Sequence, residues 1–320
     1  MSHRQLIITL FTFLLFSSVF MVAAQDGDEP LTVGFAQVGS ESAWRIAFTN
    51  ATLEEAERRG INLLFVDADN SQDNQITALR SFVEQGVDAI ILAPIVETGW
   101  DQVLQEVHDA GIPLVIVDRN VTADPSLYIT RVASDFVHEG RLAAAWLAAE
   151  TSGNCNIIEL QGTAGSSAAR DRQAGFNEVM ALFPNMHIII SQNGEFLRDE
   201  GRRVMRAILQ TEDMSVICAL WAHNDDMAIG AIEAMKEFGI VPGRDILTVS
   251  VDAIPDIFGA MLDGEANATV ELSPYMAAPS FDAIETYLAG SEVPAQIPVL
   301  GELYEPDTAA EEYAARTQSN

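Results

Sequence analysis

The sequence predicts an α/β protein built from two parallel sheets, each covered by helices on both faces. Short apolar segments alternate with helix-like segments along the chain from Leu31 onward. The apolar segments are rich in β-branched residues and do not alternate with polar ones, which is typical of strands buried on both faces. Several helix-like segments end in glycine, for example at Gly60 and Gly86, as helices often do. About ten strands are more than one open sheet comfortably holds, so we expect two sheets.

The elements follow one another in a regular order. Strands are predicted at Leu31–Val38, Ile61–Ala68, Ala89–Ile95, Pro113–Arg119, Leu127–Val132, Asn156–Gln161, His187–Gln192, Ile217–His223, Ile246–Asp252 and Ala268–Leu272. Helices are predicted at Ala43–Arg59, Gln72–Glu84, Asp101–Ala110, Phe136–Ala149, Gln173–Leu182, Arg198–Leu209 and Asp226–Phe238. Strand–helix alternation indicates parallel sheets with helices packed on them. Since no low-complexity linker separates the halves, we expect two lobes joined by extended crossings of the chain.

The first 24 residues differ in composition from the rest. Arg4 precedes an apolar segment that runs from Leu6 to Ala24, and small residues stand at Val22 and Ala24, where a signal peptidase cleaves. We expect a secretory signal that is cleaved after Ala24 and an exported mature protein. The alternative is an uncleaved anchor helix, because the apolar segment is nearly long enough to span a bilayer.

The chain is strongly acidic. It contains 17 Lys and Arg residues against 47 Asp and Glu residues, a formal net charge of −30. Residues 1–24 hold one Arg and no acidic residue, so the mature chain has 16 basic and 47 acidic groups, or −31. Such a surface repels nucleic acid and anionic membranes, and neither is expected as a partner.

The two cysteines, Cys155 and Cys218, each stand at the start of a predicted strand. If these strands are parallel neighbours, strand spacing permits a disulfide between them. An exported protein lies in a compartment that allows disulfides. Two buried free thiols are the alternative.

Polar and aromatic residues follow most of the predicted strands. In open parallel sheets, ligands bind beyond the carboxyl ends of the strands. A buried sugar needs planar partners such as Asp, Asn and Arg, because each hydroxyl both donates and accepts hydrogen bonds. Its C–H faces need flat apolar walls, which Trp44 and Phe196 can supply from opposite lobes. The other candidates at these strand ends are Glu41, Arg45, Asp118, Arg119, Arg172, Asn224, Asp252 and Glu271.

Other roles for some of these residues remain open. Trp44 is equally compatible with the core of the first helix. Asp225, Asp226 and Asp252 are compatible with capping helices. The glycine-containing segment 162–165 resembles a phosphate-binding loop, but no Gly-Lys-Ser/Thr follows it. The five histidines are scattered without ligand spacing, so we expect no metal site, and we expect no cofactor.

Seven long segments carry a family resemblance. They are LTVGFAQVGSESAWR, QGVDAIILAP with a following TGW, VDRN, NIIELQGTAGSSAARDRQAGF, AHNDDMAIGAI, PGRDILTVSVDAIPDI and MLDGEANATVELSP. Together they resemble the type I periplasmic sugar-binding proteins of the ribose-binding class, from Leu31 to about Thr308. The GSESAWR, TGW and VELSP segments differ from ordinary ribose binders and resemble the galactofuranose binders of bacterial ABC importers.

This resemblance implies a function and a set of contacts. It implies a periplasmic solute-binding protein that delivers a monosaccharide to an ABC transporter permease, with galactofuranose as the sugar and galactose, ribose or arabinofuranose as alternatives. Where ribose binders carry a Gln near the last hinge, this chain has Glu271, which becomes a further contact. The family pattern also pairs cysteines placed like Cys155 and Cys218. The family's sugar contacts fall on Trp44, Arg45, Asp118, Arg119, Arg172, Phe196, Asn224 and Asp252, with Glu41 nearby.

The resemblance further implies the periplasmic binding protein-like I fold, in which two Rossmann-like lobes are joined by a three-crossing hinge. The implied crossings are near Val132–Ser134, Leu272–Pro274 and Pro298–Leu300. The first lobe is expected to hold residues 25–132 and 273–298, and the second lobe residues 133–272 and 299–320. We expect a monomer that closes around its ligand.

Two other classes of protein deserve comparison. A glycoside hydrolase would use Asp118 and Asp252 as an acid–base pair across the cleft. Both residues stand next to candidate hydroxyl-binding partners, however, and the architecture requires only binding. A transcription regulator with the same core would need an N-terminal helix-turn-helix and a basic surface, which this sequence does not offer. We therefore expect a binding protein and not an enzyme.

Overall fold

A computed structural model describes residues 30–317, in which strands and helices alternate. The predicted signal, residues 1–24, lies outside the described residues. The strands are β1 (Thr32–Gln37), β2 (Asn62–Asp67), β3 (Ala89–Leu92), β4 (Leu114–Val117), β5 (Thr130–Ala133), β6 (Asn154–Gln161), β7 (Asn185–Asn193), β8 (Ala219–Ala222), β9 (Leu247–Asp252), β10 (Ala268–Glu271), β11 (Gln296–Pro298) and β12 (Leu303–Tyr304). The α-helices are α1 (Ala43–Arg59), α2 (Gln72–Gln85), α3 (Asp101–Asp109), α4 (Phe136–Glu150), α5 (Ser167–Met180), α6 (Arg198–Thr211), α7 (Asp225–Glu237), α8 (Pro255–Leu262), α9 (Ala277–Leu288) and α10 (Ala309–Thr317).

The first sheet has the strand order β11–β5–β4–β3–β1–β2, and its pairings are parallel. Strands β3 and β4 are buried along their whole length, as expected for the middle of a sheet with helices on both faces. Helices α1, α2 and α9 contact this sheet, and α3 packs on α2. We call this sheet with α1–α3 and α9 the first lobe.

The second sheet has the strand order β12–β10–β9–β8–β6–β7. It is parallel except at β12, a two-residue edge strand that runs antiparallel to β10. We call this sheet with α4–α8 and α10 the second lobe. Two parallel-dominated sheets with alternating helices confirm the fold class that the sequence predicted.

The chain passes between the two lobes three times. It leaves β5 for α4, leaves β10 for α9, and leaves β11 for β12. The connections are short, covering residues 134–135, 272–276 and 299–302. They lie at or beside the positions implied for the hinge.

Some elements differ from the sequence prediction. Helix α5 begins at Ser167, well before the predicted Gln173, because Ser166 caps it and its Oγ accepts a hydrogen bond from Ala169 N at 3.3 Å. The sequence prediction did not include α8–α10 or the strands β11 and β12. Pro279 lies in the first turn of α9, where its missing N–H breaks no helical hydrogen bond.

Two helix pairs of the second lobe pack backbone against backbone. A Cβ atom on Gly140 of α4 would lie 2.1 Å from Arg172 O in α5, and one on Gly175 of α5 would lie 2.0 Å from a carbonyl oxygen of α4. Helices α6 and α7 pack in the same way: a Cβ on Gly201 of α6 would meet the backbone of α7, and a Cβ on Gly230 of α7 would meet the backbone of α6. Only a residue without a Cβ permits so close an approach, so these glycines set the distance between the helices.

Cys155 and Cys218 form a disulfide, with their Cα atoms 5.5 Å apart. Cys155 lies on β6 and Cys218 directly precedes β8, and these two strands pair in parallel. The predicted disulfide is confirmed, and the alternative of two free thiols is wrong. The bond ties together two adjacent strands of the second lobe.

Candidate functional site

A cleft lies between the carboxyl ends of the strands in the two lobes. Nine of the ten residues predicted from the sequence line it, and Glu271 does not. The lining residues are Glu41, Ser42, Trp44, Arg45, Asp118, Arg119, Ala168, Arg172, Phe196, Asn224, Asp252 and Leu272.

The first lobe contributes a cluster of paired charges. Ser42 caps α1, and its Oγ accepts from Arg45 N at 3.1 Å, which places Arg45 in the first turn of the helix. Arg45 Nη2 lies 2.8 Å from Asp118 Oδ2, and Arg45 Nε lies 3.2 Å from Glu41 Oε1. Arg119 follows Asp118, and its Nη1 donates to Ile95 O at 3.0 Å. These side chains are almost fully buried, so their interactions are little screened by water.

The charges in this cluster shift one another's proton affinity. Burial opposes the charge on Arg45, but the carboxylates of Asp118 and Glu41 outweigh it and raise its pKa. Burial lowers the pKa of Arg119 to about 10, helped by the neighbouring positive charge of Arg45. Both guanidinium groups therefore stay protonated near neutral pH and remain hydrogen-bond donors only.

The second lobe contributes Arg172, which is held from three sides. Its Nε lies 2.8 Å from Glu139 Oε2, its Nη1 donates to His223 O at 2.6 Å, and its Nη2 lies 3.5 Å from Asp252 Oδ1. Burial raises the pKa of both Glu139 and Asp252, although the charge of Arg172 works against that rise. Sequence reasoning missed Glu139, which lies in the first turn of α4 and carries no motif signal of its own.

Asp118 and Asp252 occupy equivalent positions in the two lobes. Each lies at the carboxyl end of a strand, β4 or β9, and each has a positive φ, 61° and 124° respectively. A positive φ is uncommon outside glycine and is maintained only when the surroundings hold it. Both backbones thus turn sharply where the strand ends, at the edge of the cleft.

The aromatic residues bridge the lobes. Trp44 Nε1 donates to Leu272 O at 2.5 Å, and the Trp44 ring packs on Phe48 in the core of α1. Trp44 therefore serves the core and also lines the cleft. The Phe196 ring, from the second lobe, has the guanidinium carbon of Arg119 5.1 Å from its centroid, so a first-lobe cation covers a second-lobe ring.

Asn224 is the N-cap of α7, because its Oδ1 accepts from Met227 N at 3.0 Å. Its Nδ2 donates to Phe196 O at 3.2 Å, which links the two cleft residues. The cap that the sequence allowed for Asp225 or Asp226 thus belongs to Asn224, and both aspartates lie in the first turn of the helix.

Glu271 lies outside the cleft lining. Its Oε1 is 3.0 Å from Arg316 Nη2, on α10, and its Oε2 accepts a 3.4 Å hydrogen bond from the Tyr304 hydroxyl. Burial raises the pKa of Glu271, and Arg316 opposes that rise. The sequence did not reveal Arg316 as its partner, because α10 was not predicted.

Contacts between the lobes also form outside the cleft. Glu97 N donates to Gly165 O at 3.0 Å, and the Glu97 carboxylate forms an ion pair with Arg170 of the second lobe. On the other side, Ala43 N in α1 donates to Asp226 Oδ2 at 2.7 Å. These contacts could not be predicted from the sequence, because each joins residues far apart in the chain.

The TGW segment, residues 98–100, helps to hold the loop that carries Glu97. Trp100 Nε1 donates to Val96 O at 2.7 Å, and Gln72 Nε2 donates to Thr98 O at 2.7 Å. Gly99 adopts a φ of 87°, which suits glycine at this tight turn. The segment therefore anchors the loop that carries Glu97 to the second lobe.

Within residues 30–317, no helix combines the length and apolarity needed to cross a membrane. In the same part of the chain, no three His, Cys, Asp or Glu side chains are grouped so that they could hold a metal ion.

Comparison with known proteins adds to this geometry. Residues 33–292 match the family model described as "Periplasmic binding protein domain". The chain is 53% identical to the galactofuranose-binding protein YtfQ of Escherichia coli (strain K12) over 287 residues, which cover 88% of this chain and 90% of that protein.

Two solved structures are similar throughout. One is the periplasmic binding protein component of the arabinose ABC transporter from Shewanella sp. ANA-3, bound to α- and β-L-arabinofuranose; it is 56% identical with a TM-score of 0.89, covering 90% of this chain and 96% of that one. The other is the crystal structure of a galactofuranose binding protein, 52% identical with a TM-score of 0.89, covering 90% of this chain and 99% of that one.

Proposed function

The chain belongs to the family of periplasmic binding proteins, and on that basis we propose that it is the sugar-binding component of an ABC importer. Its proposed ligand is a monosaccharide in the furanose form, galactofuranose or a close relative such as arabinofuranose. The names of the similar proteins support this choice. The proposed location is the periplasm, reached after cleavage of the signal near Ala24.

The composition of the cleft carries the proposal. Three guanidinium groups and three carboxylates line it, so the charges balance and favour a neutral polyhydroxyl ligand over an ion. Within the described part of the chain, Glu41 Oε2 and Arg172 Nη2 are buried yet make no hydrogen bond. One is an acceptor and the other a donor, which is the pair of functions that a sugar hydroxyl satisfies. Trp44 and Phe196 add the apolar surfaces that C–H faces require.

The mechanism we propose is closure of the two lobes on the sugar. Within the described part of the chain, the proposed lobes are residues 30–132 with 273–298, and residues 133–272 with 299–317. Trp44, Arg45 and Asp118 belong to one and Arg172 and Asp252 to the other, so only the closed form offers all the hydrogen bonds at once. A ligand that binds the closed form better shifts the population toward it. The closed monomer would then be the form that the permease recognises.

A glycoside hydrolase is disfavoured by the state of the two aspartates. A catalytic acid–base pair needs carboxyl groups that are free to exchange protons with the substrate. Asp118 is paired with Arg45 at 2.8 Å, and Asp252 lies 3.5 Å from Arg172. Incubation with galactofuranosides should therefore release no sugar.

Calorimetry on ligand-stripped protein tests the proposal. D-Galactose, L-arabinose and D-ribose would be titrated in turn, with D-glucitol as an open-chain control. We expect saturable binding of galactose or arabinose, and ¹³C NMR of the bound C1-labelled sugar should show a furanose ring. Binding of none of these sugars would overturn the proposal, and a bound pyranose would overturn the ring form.

A further inference from the structure

Asp225 is a buried carboxylate that does not line the cleft, yet it is bonded to the elements that do. It is fully buried at the start of α7. Its Oδ1 accepts from Ser250 Oγ at 2.5 Å and from Thr269 Oγ1 at 2.8 Å, and its Oδ2 accepts from Ile254 N at 2.9 Å. One side chain therefore ties α7 to β9, to β10 and to the loop after β9.

That loop contains an unusual backbone conformation. Asp252 has a φ of 124° and Ala253 a φ of 58°, so two consecutive residues other than glycine lie in the positive-φ region. Asp252 lines the cleft, and its direction depends on this turn. Such a conformation persists only where the surrounding structure holds it.

The Asp225 network holds this turn by its backbone. Ala253 N donates to Thr269 Oγ1 at 3.3 Å, and the Thr269 hydroxyl in turn donates to Asp225. Ile254 N donates directly to Asp225 Oδ2. Both amide groups that follow Asp252 are thus bonded, one directly and one through Thr269, to the same carboxyl group.

We propose that Asp225 is a positioning residue for the sugar site, which holds the Asp252–Ala253 turn so that the Asp252 carboxylate meets the ligand. This rests on the proposed function. Burial raises the pKa of Asp225 to about 7, but the bond from Ile254 N is available to either protonation state. The role needs the geometry of the network, and it does not need a contact between Asp225 and sugar.

Three single variants test the proposal: Asp225→Asn, Ser250→Ala and Thr269→Val. Ser250→Ala removes one hydrogen bond of the network and Thr269→Val removes two, the bond to Asp225 and the bond from Ala253 N. Neither variant changes the charge, so both separate geometry from the repulsion between Asp225 and Asp252. The ligand is L-arabinose or D-galactose, whichever the wild type binds more tightly. We expect dissociation constants about 10- to 100-fold higher for Asp225→Asn and Thr269→Val, because a small misplacement of a ligand group costs that much. We expect a smaller increase in the dissociation constant for Ser250→Ala than for the other two variants.

Ile208→Ala is the matched control, because Ile208 is buried on α6 of the same lobe and does not line the cleft. It should lower the melting temperature and leave the dissociation constant unchanged. A loss of affinity as large in Ile208→Ala as in Thr269→Val would show that the network acts only through stability, and would overturn the proposal. So would unchanged affinity in all three network variants.

A second readout links the network to the turn itself. Glycine adopts a positive φ without strain, so Ala253→Gly should lessen the need to hold the turn. The loss caused by Thr269→Val should therefore shrink in an Ala253→Gly background, and additive losses in this double-mutant cycle would contradict the mechanism. If the wild type binds neither sugar, that result contradicts the proposed sugar-binding function. It does not contradict the positioning role of the Asp225 network.

Discussion

At the scale of single residues, Asp118 has two roles, and two different measurements on its variants will distinguish them. It offers a carboxylate to the cleft and it also balances the buried charge of Arg45, 2.8 Å away. Asp118→Ala should weaken sugar binding by about 100-fold, since a charge-assisted hydrogen bond is lost. It should also lower the free energy of unfolding by about 3 kcal/mol, because the buried Arg45 loses the nearer of its two carboxylate partners and keeps only Glu41.

Calorimetry measures the first effect and chemical denaturation of the sugar-free protein the second. Asp118→Asn is the matched variant, because it keeps the shape of the side chain and removes the charge. Wild-type affinity in Asp118→Ala would exclude Asp118 as a contact.

We expect Glu159 to make the stability of the protein depend on pH. It is buried on β6, and its oxygens lie 3.2 Å from His223 Nε2 and 2.5 Å from Ser191 Oγ. Burial would raise its pKa, but the hydrogen bonds from His223 and Ser191 outweigh that and lower the pKa to about 2. The stabilisation is therefore complete above pH 4.5, the ordinary value, and is lost as the pH falls toward 2.

Glu159→Gln should lower the free energy of unfolding by about 3 kcal/mol at pH 7, and the difference from wild type should disappear near pH 2. Denaturant unfolding at a series of pH values measures it. The control is Glu237→Gln, since hydrogen bonds from Arg206 and Arg202 also lower the pKa of Glu237 to about 2, but at the protein surface. Its effect should shrink with added salt, whereas that of Glu159→Gln should not. A pH-independent difference would refute the assignment.

Much of the cleft could be predicted because its residues follow strands. The carboxyl ends of parallel strands meet at one edge, so Asp118 and Asp252 could be located without knowing any distance. Glu139 could not, because it lies on a helix and only the folded structure places it against Arg172. Glu271 also stands at the carboxyl end of a strand, but that strand, β10, pairs with β12, and the Glu271 carboxylate meets Arg316 of α10.

At the scale of elements, we expect the packing of helix α10 to depend on that ion pair. Arg316 lies 3.0 Å from Glu271, and its guanidinium carbon is 4.9 Å from the Phe258 ring centroid on α8. Glu271→Ala and Arg316→Ala should each increase hydrogen exchange in α10 and change the sugar dissociation constant less than twofold. Exchange measured by mass spectrometry on peptides from residues 305–317 tests this. A tenfold loss of affinity in Glu271→Ala alone would restore Glu271 as a sugar contact.

The two strands that the sequence missed share one property: tertiary contacts form them. Strands β11 and β12 have three and two residues, too few for a hydrophobic pattern to be recognised. Each exists because a longer strand, β5 or β10, offers it an edge. The long alternating elements could be predicted because their patterns are local.

At the scale of the whole molecule, the ion pair between Glu97 and Arg170 joins the lobes without lining the cleft. If the lobes separate without sugar, this pair exists only in the closed form. Arg170→Ala should then weaken binding by up to about fivefold, mainly through faster dissociation, because Arg170 is half exposed and exposed pairs contribute little. Stopped-flow fluorescence measures the rate, and the effect should fall as salt is added.

Arg141→Ala is the matched control, because Arg141 forms an exposed pair with Glu178 inside the second lobe. It should leave the dissociation rate unchanged. Equal effects of the two variants would mean that Arg170 acts through net charge and does not hold the lobes together.

Because of the reciprocal glycines between α4 and α5, and between α6 and α7, we expect the two lobes to be unequal in stiffness. Helices in backbone contact cannot separate slightly, because any opening breaks many close contacts at once. Amide protons of these four helices should therefore exchange with solvent only when the whole lobe unfolds, while α2 and α3 exchange through smaller local openings. The second lobe would then keep a nearly fixed shape. Most of the molecule's local fluctuations at equilibrium would occur in the first lobe.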